Sequence, residues 1–305
     1  CNEGYIFNDD TYSECIFLEV CEELSLCDEE IEVELWGECY NIEETTYLDL
    51  SNSELTGEIL PEIGNLINLN YLDLSYNYLT GEIPSEIGNL INLTTLNLTS
   101  NDLSGEIPLE LGSLINLLYL TIDTNELSGN LPYQLGQLVN LVKLDLDNNL
   151  FTGVIPNSFN ELVNLVDLDL DHCQFSDDIG NVINIFVGLP NLEQLSLDDN
   201  NFYGEIPIQI GDFNENLMKL KLDMNELVGY VPESICDLIN LYILSLGENS
   251  LCPPYPDCLT EEMIGYQDTS ECEEPSLCDE EIEVELWGVC YNIEETTELV
   301  LEESG

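Results

Sequence analysis

From residue 47 onward apolar positions come in pairs with one residue between them, and the pairs return at a fixed interval. The first leucine of each pair is Leu48, Leu72, Leu96, Leu120, Leu144, Leu168, Leu195, Leu220 or Leu244, in steps of 24 residues except for 27 into Leu195 and 25 into Leu220. Period-two alternation over so short a run predicts a strand, leucines on one face and the intervening residues on the other. An asparagine follows at Asn77, Asn101, Asn125, Asn149, Asn200, Asn225 and Asn249. Its amide can satisfy backbone groups of the turn, so that no buried polar group is orphaned. Between pairs runs a second phrase, as in Leu79-Thr-Gly-Glu-Ile-Pro-Ser-Glu-Ile-Gly-Asn-Leu-Ile-Asn-Leu93. Gly-x-Ile-Pro turns the chain there, and its proline blocks a long helix. One such coil cannot bury its leucines alone, but nine stacked coils share a continuous core. The 27-residue step lacks Gly-x-Ile-Pro at 177–188 and is expected to bulge from the convex side.

The repeated phrase L-x-x-L-x-L-x-x-N-x-L-x-G-x-I-P over residues 45–251 resembles the plant-type leucine-rich repeat family, a phrase also carried by secreted bacterial and algal proteins. Trp36-Gly-Glu-Cys39 is similar to that family's amino-terminal cap, and Leu251-Cys-Pro-Pro-Tyr-Pro-Asp-Cys258 to its carboxy-terminal cap. The resemblance implies an α/β repeat solenoid: a right-handed, curved superhelix with a parallel concave sheet, a mostly 3-10 or irregular convex side, and disulfide-closed caps. It also implies binding of proteins, peptides or polysaccharides rather than catalysis. The expected organisation is a cysteine-rich segment and cap over 1–46, nine repeats over 47–251, a cap or linker over 252–277, and 278–305 as a second cap with the first strand of a following unit.

Charge narrows the partners. Three Lys and Arg against 63 Asp and Glu give a formal net charge of −60, which disfavours nucleic acid and anionic membranes. The 44% hydrophobic content, placed periodically, excludes a disordered polyanion. No run is long and apolar enough to predict a membrane span, and the sequence starting at Cys1 reads as a mature or excised segment. The 12 cysteines crowd toward both ends, as disulfide-closed caps in an extracellular, secreted or cell-surface protein would place them. They lack zinc-knuckle spacing. Sequons at Asn92 and Asn97 fit a glycoprotein.

The cap occurs twice. Residues 27–46 and 278–297 agree at 19 of 20 positions, with an offset of 251. By the duplication, Cys27 pairs with Cys39 and Cys278 with Cys290. Cys236 is expected to bond within the last coil, to Cys252 or Cys258, and Cys173 to be a free core thiol. The remaining cysteines are odd in number, so one stays free or pairs outside the chain. A solenoid that begins again at its far end is either one slice of a tandem array or a unit that joins copies of itself head to tail. Trp287 and the strand Leu299, Val300, Leu301 would be the assembly surface, its unpaired edge inviting a partner strand. Such joining of acidic units needs screening cations, as in a salty or calcium-rich setting.

The concave face carries the candidate chemistry. The position after each second apolar residue reads Asp123, Asp147, Asp171, Asp198 and Asp223 over five successive coils, and the position between the pair adds Asp145 and Asp169. Carboxylates about 4.8 Å apart repel by about 3–4 kcal/mol at an effective dielectric near 20, so the ladder should hold protons or recruit cations. Calcium at Asp147, Asp171 and Asp198 is the metal expectation, although no D-x-D-x-D-G loop is present; no other cofactor is expected. Lys143, Lys219 and Lys221, the only basic residues, lie on the same face with His172. They serve either as internal charge balance or as part of a platform for a protein or glycan. Catalysis finds no support. Alternation turns His172 outward and Cys173 inward, so they form no dyad, and the nucleophile and metalloprotease motifs are missing. The functional expectation is a non-enzymatic structural or adhesive protein whose units join end to end, in a filament or tandem array. The alternative is a soluble recognition module that uses its concave face.

Overall fold

The computed structural model describes residues 27, 28 and 30–272, together with the backbone of strands Glu283–Leu286 and Val289–Asn292. Nine short strands form one parallel sheet: Tyr47–Asp49, Tyr71–Asp73, Thr95–Asn97, Tyr119–Thr121, Lys143–Asp145, Asp167–Asp169, Gln194–Ser196, Lys219–Lys221 and Ile243–Ser245. They define coils one to nine. Register is one-to-one, so Leu144 faces Leu120 and Leu168, and Leu168 faces Leu195 across the longest step. The solenoid of stacked leucines is therefore as the repeat dictates. Leu72, Leu96, Leu120, Leu144, Leu168, Leu195 and Leu220 are all fully buried.

The surplus residues of the 27-residue step do not bulge. They wind into the helix Ile179–Phe186, where Ile179, Val182, Ile183, Ile185 and Phe186 are buried. Asp178 caps it by accepting the Gly180 N–H at 2.9 Å. Five apolar residues in eight make this turn a core element. The other coils use 3-10 segments here, such as Ser85–Asn89 and Leu109–Ser113. The convex side is also more regular than expected. A second parallel sheet of six strands runs from Thr56–Glu58 to Gln174–Phe175, and a third of three strands from Tyr203–Glu205 to Ser250–Cys252. Phe151, Phe175 and Phe202 stack through this layer with centroids 6.2 and 6.5 Å apart.

The asparagine ladder holds the coils in line. Asn149 donates to the carbonyls of Ile122, Leu146 and Asp147 at 3.0–3.1 Å and accepts the Leu127 N–H at 3.1 Å. This rung thus ties two coils and satisfies four backbone groups. In coil six Cys173 takes this place, buried and free, its thiol 3.6 Å from the Leu146 carbonyl. At the far end Gln267 replaces the asparagine. It accepts the Leu251 N–H at 2.9 Å and donates to Leu246 and Ile264 at 2.7 and 2.6 Å.

Cys27 pairs with Cys39 and Cys236 with Cys258, as expected. Cys252, one of the two partners considered for Cys236, instead bonds Cys272. These bridges tie down a terminal segment whose Met263 and Tyr266 carbonyls accept N–H groups of Leu246 and Glu248, covering the edge of coil nine. The hairpin Glu32–Leu35 with Glu38–Asn41 has Glu34 opposite Cys39; the hairpin Glu283–Leu286 with Val289–Asn292 has Glu285 opposite Cys290, the same register. Trp287, Leu299, Val300, Leu301 and Cys278 lie outside the described residues, as does the Cys278–Cys290 pairing.

Candidate functional site

The register that stacks the leucines also stacks three outward columns, because residues of one parity share a face. Lys143 lies opposite Asp167 and Asp145 opposite Asp169; Asp169 then lies opposite Ser196, and Ser196 opposite Lys221. The Asp123, Asp147, Asp171, Asp198 and Asp223 column follows one residue beyond the second apolar position. Backbone bonds keep it aligned: the N–H groups of Thr124, Asn148, His172 and Asp199 donate to the carbonyls of Asp147, Asp171, Asp198 and Asp223 at 3.0–3.2 Å. His172 belongs to a series of left-handed residues, with φ of 47°, that turns the chain out of each strand.

Early and late coils treat their acids differently. In coil two Asp73 is buried yet satisfied: Ser75 donates through N–H and hydroxyl at 2.9 and 2.6 Å, Tyr71 at 3.1 Å and Asn97 at 3.0 Å. In coils five to seven, hydroxyl and amide donors give way to more acid. Asp145, Asp147 and Asp198 each keep one buried carboxylate oxygen with no hydrogen-bond partner, and the buried Ser196 hydroxyl has none either. Asp198 is only 5% exposed.

The basic residues sit among these carboxylates. Lys143 reaches Asp145 and Asp167 at 3.0 and 3.5 Å, Lys219 reaches Asp169 at 3.8 Å, and Lys221 bridges Asp198 and Asp171 at 3.1 and 3.6 Å. His172 spans Asp171 and Asp199 at 2.9 and 3.3 Å. Three cations cannot neutralise the strip. Burial first, then the charges of Asp171 and Asp145, pushes Asp169 up to about 7. Burial, then Asp145, raises Asp147 to about 6. Asp145 and Asp198 are raised as well, burial outweighing their lysine partners. His172 is raised chiefly by its hydrogen bond to Asp171. Burial alone opposes the Lys143 and Lys221 charges, but the surrounding carboxylates raise both.

The structure thus brings together Asp123, Asp145, Asp147, Asp169, Asp171, Asp198, His172 and the three lysines. Asp223 stands at the margin, accepting the Ser245 hydroxyl. Sequence reasoning missed Asp167, Asp199 and Ser196; the first shares the Lys143 column and could have been read from it. Cys173 and His172 form no dyad: burial pushes the thiol up to about 12, while His172 faces outward. Of the sequons, Asn92 donates to the Ile67 carbonyl at 2.9 Å, and the Asn97 amide is the donor to Asp73. Tyr47 and Tyr71 stack at 4.5 Å at the first end of the face.

This fold is shared with known proteins. A leucine-rich repeat region model matches residues 41–178 and a Leucine Rich Repeat model residues 191–213. With the stacked parallel strands, these matches define the fold as a leucine-rich-repeat solenoid. It is similar to the plant peptide hormone receptor RGFR1, solved in complex with RGF2, at 38% identity over 65% of this chain and 31% of the receptor, with a TM-score of 0.62. The ectodomain of the Arabidopsis thaliana receptor kinase GASSHO1/SCHENGEN3, in complex with CASPARIAN STRIP INTEGRITY FACTOR 2, matches at 34% identity over 66% of this chain and 24% of its own, with a TM-score of 0.61. A leucine-rich-repeat protein of Leptospira interrogans matches at 34% identity over 70% of this chain and 58% of its own, with a TM-score of 0.58. The chain therefore spans a third or less of the two receptor structures. No curated protein matches it. Among the described residues no helix is long and apolar enough to cross a membrane.

Proposed function

We propose that the chain is an extracellular, non-enzymatic recognition module whose concave face, over coils four to eight, takes a basic segment of a protein or peptide. The observation that carries this reading is the under-compensated strip from Asp123 to Asp198, where buried carboxylate oxygens lack donors. A ligand bearing Lys or Arg would supply those donors, and charge-assisted bonds to a desolvated carboxylate are the stronger kind. Two of the similar structures, a plant peptide hormone receptor with RGF2 and a receptor kinase ectodomain with CASPARIAN STRIP INTEGRITY FACTOR 2, were solved with a partner bound, which fits a recognition role. The test is fluorescence anisotropy with a labelled peptide of alternating Lys and Ser, against a Glu-Ser peptide of equal length. The basic peptide should bind, and Asp147→Asn with Asp171→Asn should weaken it at least tenfold. Equal binding of both peptides would end the proposal.

A second reading, head-to-tail joining or a tandem array with a structural or adhesive role, is favoured by one observation. The hairpin at 283–292 repeats the register of the capping hairpin at 32–41. Under that reading, removing residues 273–305 abolishes end-to-end fibres seen by negative-stain microscopy. Under the recognition reading that deletion leaves peptide binding unchanged.

A further inference from the structure

The acids of the concave strip fall into overlapping triads. Ligand atoms of Asp123, Asp145 and Asp147 lie within 4.8 Å of one another; so do those of Asp147, Asp169 and Asp171, and those of Asp171, His172 and Asp198. Asp147 and Asp171 are each shared by two triads, so the middle one is the junction. It is also the least compensated. Lys143 is bound to Asp145 and Asp167, whereas Lys219 and Lys221 approach Asp169 and Asp171 only at 3.8 and 3.6 Å. Next to it Asp198 is 5% exposed, its Oδ2 taken by Lys221 and its Oδ1 without a partner. The buried Oδ1 of Asp147 is likewise unpaired.

We infer that this junction is a divalent cation site, with Asp147, Asp169 and Asp171 as ligands and Asp198 closing it from the next coil. The donors are all carboxylate oxygens, which selects a hard cation. Oxygens held at about 2.3–2.6 Å from Ca²⁺ lie up to about 5 Å apart across the ion, whereas Mg²⁺ at about 2.1 Å would need them within about 4.2 Å. The triad meets the calcium span without rearrangement. The site does not depend on a peptide binding the same face, since the ion needs only this chain's acids and water.

The experiment is isothermal titration of the chelator-treated chain with Ca²⁺ at pH 7.5 and constant ionic strength, in the absence of peptide. One saturable site per chain is expected, with a Kd of roughly 0.1–1 mM, the range of extracellular calcium modules. Asp147→Asn and Asp169→Asn, made singly, should each weaken it at least tenfold, with circular dichroism confirming the fold. Glu62→Gln with Glu86→Gln, acids of the 3-10 layer, should leave it unchanged. Equal loss in both sets of variants would mean a diffuse ion atmosphere and overturn the site. So would an absence of saturable Ca²⁺ binding together with a carboxylic-acid infrared band at pH 7.5, which would mean that shared protons fill the strip. Because the titration holds no peptide, failure of the recognition reading leaves its outcome unaffected.

Discussion

Replacing Asp169 by Asn should stabilise the chain most above neutral pH, progressively less as the pH falls, and hardly at all below about pH 4. Its carboxyl is pushed up to about 7, against an ordinary value near 3.9. Between those limits the folded chain holds a proton that the unfolded chain releases, so stability falls as pH rises through the window and is flat above it. Three pKa units correspond to about 4 kcal/mol at roughly 1.36 kcal/mol per unit. The side chain is 18% exposed, so little of this is lost to solvent screening. The cost is shared with Asp147 and Asp145, and the substitution also removes the partner of Lys219, so a gain of about 1–3 kcal/mol is expected at pH 8. Urea unfolding of both proteins, with chelator and low salt, at pH 5 and pH 8 reads it directly. The two curves should separate at pH 8 and approach each other at pH 5. A variant equally or less stable than the parent at pH 8 would refute the assignment of strain to this carboxylate.

Other perturbations test the scaffold. Cys173→Asn should restore the missing rung, giving the Leu146 carbonyl and the N–H groups facing the thiol a better partner, and raise stability by about 1–2 kcal/mol in thermal unfolding. Asn149→Leu strands four backbone groups and should lower stability by about 3–5 kcal/mol in the same assay. Gly112→Ala places a methyl carbon 2.6 Å from the Gln134 carbonyl oxygen, so coils three and four must part; a loss of about 2–3 kcal/mol is expected by urea midpoint. Cys252→Ser removes the bridge to Cys272 and should raise hydrogen exchange at Leu246 and Glu248, whose N–H groups the terminal segment covers, while leaving coils two to six unchanged.

What could be read beforehand followed from periodicity. The strand pattern put Asp147, Asp171 and Lys219 on one face, and the ladder position of Cys173 told that its thiol points inward. Features that depend on which competing element wins were not legible. The residues 177–188 lack proline, and only packing shows that Ile179, Val182 and Phe186 favour a helix over a bulge. Cys252 sits six residues before Cys258, and which of the two meets Cys236 depends on how the terminal segment folds back. Gln267 as the last rung required seeing a longer amide reach the same carbonyls. The contrast between satisfied Asp73 and orphaned Asp198 depends on neighbours 24 or so residues away, where Asn97 serves one and Lys221 only half serves the other.

The most direct test of a concave-face recognition site is a hydrogen-exchange footprint of the chain with the Lys-Ser peptide bound. Protection over 119–124, 143–148, 167–172 and 194–199 is the predicted result, with the backbone of 283–292 unchanged. Protection confined to 283–292 or to the 3-10 segments of the convex side would contradict the account.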